Sequence, residues 1–316
     1  HYGSQLNEHH FVRQSAGLFD VSHMTIVDIL GAGGRQFLRH LLTNDVDALP
    51  HIGRAQYSCM CNAHGGIIDD LIVYQRAPDN YRLVLNSATR EPDLRWIREK
   101  AHGFSVGLQE RTDLSMLAVQ GPLAIEKALA ILNPSQVDAL STIAPFECVD
   151  VGQWFFARTG YTGEDGLEII VPQQDINHLW ESLLQAGVKP CGLAARDTLR
   201  LEAGMLLYGQ DMDESTTPLE SGLGWIVNWQ RDDRDFIGKG ALVSQKQHGL
   251  KRKLVGLTLQ DKGIMRTGQR VLVDGYADGI ITSGTFSPTL GQSIALARVP
   301  IETTDTVFVE IRGKQH

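Results

Sequence analysis

The residues of this chain best placed to do chemistry lie in Gly65-Gly66-Ile67-Ile68-Asp69-Asp70-Leu71-Ile72-Val73-Tyr74, where a glycine turn feeds two adjacent carboxylates into an apolar strand. Asp is depleted from strands, and a carboxylate beside a β-branched run must be hydrogen-bonded, paired or close to solvent to avoid a desolvation penalty. Side chains alternate along a strand, so Asp70, Ile72 and Tyr74 share one face and Asp69, Leu71 and Val73 the other. One Asp can cap the turn while the other looks into a pocket beside Tyr74; the alternative is that both are turn residues. Asp20-Val21-Ser22-His23 is either a polar turn or the wall of a site, and its spacing does not decide. Arg196 and Arg200 lie one helical turn apart, and the default for such a pair is a solvated face balanced by acids such as Asp197 and Glu202.

These groups need elements to hold them. Residues 1–24 read as an approach segment, followed by a strand over 25–30 and a helix over 33–42 with Phe37, Leu38, Leu41 and Leu42 on one stripe. A strand over 57–62 joins the Asp69-Asp70 strand as a hairpin, and 81–86 returns after the Pro78-Asp79-Asn80 turn. Ser87 or Thr89 can cap a helix carrying Leu94 and Ile97. A buried strand over 114–119 and a helix opened by Gly121-Pro122 come next. From Phe155 a strand, the turn Gly160-Tyr161-Thr162-Gly163-Glu164-Asp165-Gly166, a strand and an amphipathic helix ending at Gly187 repeat that order, which hints at duplicated α+β units. Residues 193–207 read as helix, with a further short helix near Lys239 to Lys246. After Lys251-Arg252-Lys253 only alternating strand patterns remain, which predicts a separate small β barrel or sandwich.

Composition bounds the class. At 316 residues the chain exceeds what one core usually organises, and 42% hydrophobic with 21% charged residues is ordinary for a globular protein of two or three domains. A net charge of -8 with no basic block argues against nucleic acid as a partner. No apolar run approaches the roughly 18 residues a bilayer span needs, so no membrane partner is expected and the chain reads as cytoplasmic. Its start at His1 rather than methionine suggests a processed end. Cys59, Cys61, Cys148 and Cys191 read as reduced core residues, and with no His pair at ligand spacing no metal is expected.

Five segments in order resemble the glycine cleavage T-protein, or aminomethyltransferase, family: Phe19-Asp20-Val21-Ser22-His23-Met24, Gly65 to Ile72, Gly160 to Glu168, Gly192 to Glu202, and Thr282 to Pro288. The resemblance covers essentially the whole chain. It implies an α+β fold: a three-domain folate-binding cloverleaf of two α+β domains plus a C-terminal jelly-roll-like β-barrel domain. The corresponding expectation is a discontinuous first domain over 1–50 and 141–250, a second over 51–140 and an all-β third over 251–316. The implied reaction moves a methylene group from an aminomethyl arm on lipoylated H-protein to the co-substrate tetrahydrofolate, releasing ammonia. Members of the family usually begin before His1 and continue past His316 with another strand.

By the same resemblance Asp70 is the catalytic aspartate, Glu168 the pterin-binding glutamate and Arg196 the site arginine, with Tyr57, Tyr74, Tyr161 and Asn86 at further folate-pocket positions. The chemistry is consistent. A reduced pterin offers adjacent donors along one edge that an ionised carboxylate can accept, tyrosines supply flat walls, and an arginine suits a carbonyl or the anionic glutamyl tail. Two relatives of the scaffold are alternatives. One is a demethylase of dimethylglycine or a sulfonium compound; the other is a folate-binding accessory protein of iron-sulfur cluster maintenance, marked by Lys-Gly-Cys-Tyr-x-Gly-Gln-Glu. The comparable Asp235-Phe236-Ile237-Gly238-Lys239 holds no cysteine, which counts against the latter.

Overall fold

The computed structural model describes residues 1–230 and 233–316. They form two compact units: His1–Arg39, Asp45–Tyr57 and Leu71–Leu199 make unit 1, and His40–Asn44, Ser58–Asp70 and Arg200–His316 make unit 2.

Unit 1 opens with a helix where the sequence reads as an irregular approach. In α1 (Gln5–Gln14) Leu6, Phe11 and Val12 make no continuous apolar stripe, so periodicity does not reveal it. Buried polar groups hold it: the His9 ring meets Thr198 Oγ1 at 2.8 Å, and Glu8 Oε2 accepts from the Gly192 amide at 2.9 Å. β1 (Gly17–Asp20), β2 (Thr25–Leu30) and α2 (Gly34–Leu41) follow. β3 (Ala55–Cys61), β4 (Ile67–Ala77) and β5 (Asn80–Leu85) form the expected meander before α3 (Arg90–Lys100). Thr89 stands at the start of α3 but does not cap it; its hydroxyl donates back to Asn86 O at 3.2 Å.

β6 (Gly107–Glu110), β7 (Leu114–Gln120) and α4 (Ala124–Leu129) lead to α5 (Pro134–Leu140), a helix with no counterpart in the sequence reading. Its signal is at its start, where Asn133 and Gln136 form a reciprocal capping box ahead of a single turn or two of helix. β8 (Cys148–Val151), β9 (Trp154–Ala157), β10 (Gly166–Pro172), α6 (Ile176–Gln185), β11 (Lys189–Pro190) and α7 (Leu193–Glu202) complete the series. One sheet runs β3-β4-β5-β2-β6 and a second β11-β1-β7-β10-β9-β8.

The second sheet buries both faces, and β10 shows how. Leu167, Ile169 and Val171 pack with Val119, Phe156 and the α6 residues Leu179 and Leu183. Ile170 lies on the opposite face, in a core with Ala118, Ala157, Tyr74 and Phe155. Glu168 therefore points to that second face, and its cross-strand neighbours are alanines on both sides, Ala118 on β7 and Ala157 on β9.

Unit 2 continues through α8 (Lys239–His248) into strands only: β12 (Arg252–Thr258), β13 (Arg270–Leu272), β14 (Gly279–Ser287), β15 (Gln292–Pro300), β16 (Phe308–Ile311) and β17 (Lys314–Gln315). They form one sheet ordered β12-β15-β14-β13-β16-β17 around Val271, Ile281, Ala297, Val299 and Val309. A bulge in β14 between Ile281 and Ser283 turns two successive hydroxyls toward Asp211, which accepts from Thr282 Oγ1 and, at 2.9 Å, from Ser283 Oγ. Arg200 completes the hub, with Nη1 2.9 Å from Asp211 Oδ2 and Nη2 2.9 Å from Ser283 Oγ.

Arg200 is thus no part of a solvated face: it is 1% exposed and paired with a carboxylate at 0%. Truncating one partner of such a pair strands the other. Arg200→Ala is expected to cost about 3–5 kcal/mol of unfolding free energy. Denaturant titration reads this directly, and an unchanged midpoint would show that the hub is dispensable to stability.

Candidate active site

Glu168 is 6% exposed on a face otherwise built of small and aromatic side chains, so its carboxylate needs compensation. Thr159, just before the glycine turn, donates its hydroxyl proton to Glu168 Oε2 at 2.6 Å. With that proton committed, the Tyr74 hydroxyl 3.0 Å away can donate to Thr159 Oγ1, and it also bonds Glu168 directly. The result is a relay, Tyr74 to Thr159 to Glu168, with the direct Tyr74–Glu168 bond beside it. Burial, and next the Glu168 charge, push the Tyr74 phenol well above its usual range, so it stays a donor at neutral pH. One carboxylate oxygen is taken by Thr159, which leaves Oε1 to accept from a ligand.

Arg196 supplies the opposite charge. Its guanidinium carbon lies 4.9 Å above the centre of the Tyr161 ring. Burial pulls its pKa below the ordinary arginine value while the charges of Glu168 and Tyr161 oppose that shift. Its Nη1 is buried and has no hydrogen-bond partner among the described residues. A desolvated cationic donor left unsatisfied is costly in a structural role, and an anion or carbonyl placed there relieves it.

Neighbouring elements hold Tyr161 and Arg196 together. Arg13 on α1 donates from Nη1 to Thr162 O at 2.7 Å and from Nη2 to Leu199 O at 3.2 Å, tying the glycine turn to α7. Gln120 grips the turn from the other side, donating to Thr159 O at 3.1 Å and accepting from Thr162 Oγ1 at 2.8 Å. The glycines are steric necessities: a Cβ on Gly166 would lie 2.2 Å from Val119 O, and Gly163 has φ +80°.

The Asp20 to His23 segment is a turn at the wall of this cluster, which spacing alone left open. Ser22 N binds Asp20 Oδ1 at 3.0 Å, and the Ser22 hydroxyl lies within 3.2 Å of Met116 O. This presents His23, whose pKa is lowered by partial burial first and by the charge of Arg196 second, against an opposing effect of Asp20.

Unit 1 thus brings Glu168, Tyr74, Arg196 and Tyr161 into one electrostatically coupled cluster. Tyr57 is half-buried on β3, and Asn86 is half-buried just beyond β5. Thr159, Arg13, Gln120 and His23 are members that sequence reasoning did not single out; only His23 had a signal, as part of an undecided polar turn.

In unit 2 the two carboxylates of β4 divide as alternation predicts. Asp69 is fully buried, whereas Asp70 is half-buried and so retains access to solvent or ligand. Burial, then the charges of Cys61, Asp70 and Asp69, push the Cys59 thiol well above its usual range. Among the described residues no group of three or more His, Cys, Asp or Glu side chains is placed to hold a metal ion, and no helix is long and apolar enough to cross a membrane.

Comparison with known proteins agrees along the chain. Residues 2–231 match the GCVT N-terminal domain and residues 252–316 the glycine cleavage T-protein C-terminal barrel domain. An aminomethyltransferase of Legionella pneumophila (strain Corby) is 76% identical over 314 residues, covering 99% of this chain and 87% of that protein. One from Alcanivorax borkumensis is 57% identical, covering 99% and 86%. The crystal structure of glycine cleavage system aminomethyltransferase T from Bartonella henselae superposes with TM-score 0.92 at 35% identity, covering 99% of this chain and 86% of that one.

The relay predicts its own weak point. Thr159→Val keeps the shape but leaves the Glu168 oxygen and the Tyr74 hydroxyl without their partner, and a loss of about 1–3 kcal/mol is expected. A thermal melt in which this variant matches the parent would mean the hydroxyl carries no such bonds.

Proposed function

The chain belongs to the glycine cleavage T-protein family, and on that footing we propose that it is a tetrahydrofolate-dependent aminomethyltransferase. It takes the methylene group from S-aminomethyl-dihydrolipoyl H-protein and yields 5,10-methylenetetrahydrofolate, ammonia and dihydrolipoyl H-protein. The observation that carries this reading is the pairing of a relay-held carboxylate, Glu168, with a buried arginine donor that lacks a partner, Arg196, against an aromatic wall. That donor set suits a reduced pterin, with donors along one edge and carbonyl and anionic groups elsewhere. We assign Tyr57 and Asn86 to further folate contacts, the domains to 1–50 with 141–250, 51–140 and 251–316, and the setting to the cytoplasm. Lipoylated H-protein is the protein partner.

Two nitrogens of tetrahydrofolate bond the methylene carbon as its bonds to the amino nitrogen and to sulfur break, and the two protons they lose end on ammonia and on the dihydrolipoyl thiol. Glu168 accepts hydrogen bonds from the pterin edge, and the aromatic walls exclude water from it. Arg196 donates to a carbonyl or carboxylate of the folate. Asp70 accepts the proton that the attacking nitrogen sheds as ammonia leaves, and its charge favours the positive charge that builds on that nitrogen. The direct test is ammonia release with tetrahydrofolate and aminomethylated H-protein, run beside dimethylglycine and a sulfonium substrate. Turnover of either small substrate in place of aminomethylated H-protein would replace this reading.

Two substitutions separate binding from chemistry. Glu168→Gln swaps an acceptor for a donor facing a donor edge, which should weaken tetrahydrofolate binding by about 2–3 kcal/mol. Calorimetry giving an unchanged affinity would remove Glu168 from the pterin site. Asp70→Asn deletes the charge and keeps the size. It should lower turnover at least about a hundredfold, with folate affinity within roughly fivefold of the parent, as for an interaction made chiefly in the transition state. Retention of more than about a tenth of the activity, or outright loss of folate binding, would make Asp70 structural.

A further inference from the structure

β4 acquires β5 as a partner only from Leu71 onward, where Leu71 faces Leu85. On that edge Ile67, three residues before Asp70, bonds instead to a loop of unit 2. Its N–H is shared between Asp213 O at 3.2 Å and Thr216 O at 2.9 Å, and its carbonyl accepts from the Tyr208 hydroxyl at 3.0 Å. The loop backbone also lies hard against the glycine turn: Asn62 Nδ2 donates to Glu214 O at 3.3 Å, and a Cβ on Gly66 would fall 1.8 Å from the same oxygen. The loop does in place of a sheet neighbour what a strand would otherwise do, satisfying both polar groups of Ile67.

The Asp211 hub fixes the loop in turn. Asp211 Oδ2 accepts from the Leu207 amide at 2.9 Å, next to Tyr208, and Arg298 Nη2 donates to Asp211 O at 2.6 Å. A continuous set of bonds thus runs from Arg200, Thr282 and Ser283 through Asp211 to Tyr208 and Ile67, all within unit 2. Two of the sequence segments that supply no ligand group in the reading above, the arginine at 200 and the Thr-Ser pair at 282, meet at this loop.

We propose that Tyr208 is a positioning residue for the reaction: its hydroxyl, by fixing the Ile67 carbonyl, sets where β4 delivers the Asp70 carboxylate. This rests on the reading of Asp70 as the catalytic carboxylate. Asp70 lies about 10 Å along the strand from the anchor at ordinary strand rise. A misplacement on the order of 1 Å at a reacting group can cost up to about a hundredfold in rate. Tyr208 touches no reacting atom in this account and acts only through the backbone.

Turnover, measured per folate-binding-competent molecule, is compared for the full chain, Tyr208→Phe, Asp70→Asn and the double variant. Tyr208→Phe is expected to lower kcat about tenfold while the tetrahydrofolate Kd and the KM for aminomethylated H-protein stay within about twofold. In the Asp70→Asn background the same change should have no further effect on kcat, because there is no carboxylate left to misplace. An unchanged kcat for Tyr208→Phe beside an inactive Asp70→Asn overturns the role of Tyr208 alone. Equal losses in both backgrounds show that Tyr208 acts by another route and also overturn it. An active Asp70→Asn removes the reading of Asp70, and the positioning role with it.

Discussion

A carboxylate buried on the face of a sheet dictates much of unit 1. Burying the Glu168 carboxylate in an apolar core carries a desolvation penalty, and the polar groups around it offset that penalty. Alanines on both neighbouring strands leave the space, Thr159 and Tyr74 supply a hydrogen-bond relay, and Arg196 supplies the counter-charge. Each of these has to be held as well. The glycine turn places Thr159 and Tyr161, Gln120 and Arg13 pin the turn, and α1 is positioned against α7 by His9. Several of the long-range connections of this part of the chain thus converge on one buried charge.

Unit 2 contains a comparable charge with a different outcome. Asp211 is as deeply buried as any group in the protein, but it is surrounded by donors from Arg200, Leu207, Thr282 and Ser283. The two arginines of α7 make the contrast plain, since they share a helix and a residue type. Arg200 has its donors engaged by Asp211, Ser283 and the Met205 carbonyl. Arg196 has a buried Nη1 with no hydrogen-bond partner among the described residues. Hydrogen-bond satisfaction, rather than burial or charge, separates the structural arginine from the one proposed to take a ligand.

That distinction marks where the sequence was legible. The meander β3-β4-β5, the strands β2, β7, β9 and β10, the all-β C-terminal region and the alternation that splits Asp69 from Asp70 follow from local periodicity, whereas the short strands β1, β6, β8 and β11 carry too few residues to show one. Gly66 and Gly166 have backbone atoms in the space of their missing side chains, Gly160 has the Gln120 side chain there, and Gly163 has a positive φ. Thr159, Arg13 and Gln120 were not legible: a threonine, an arginine and a glutamine have ordinary surface roles, and only the tertiary fold brings them to Glu168 and the turn. α1 escaped for a related reason, being anchored by His9 and Glu8 rather than by an apolar stripe. The assignments of Glu168 and Arg196 came through family resemblance, and geometry now gives each a physical environment.

The β4 carboxylates show how one strand can serve two needs. Asp69 is fully buried, on the face with Leu71 and Val73, whereas Asp70 is half-buried on the alternate face. Their combined charge, added to a larger effect of burial, also holds the thiol of Cys59 well above its usual pKa. A protonated, fully buried thiol is a poor nucleophile, since the thiolate is the reactive form. In an enzyme whose proposed substrate is a dihydrolipoyl arm bearing an electrophilic carbon on sulfur, a reactive cysteine close to the proposed catalytic carboxylate would compete for that carbon. Burial, with the charges of Cys61, Asp70 and Asp69 added to it, therefore keeps the Cys59 thiol protonated and unreactive.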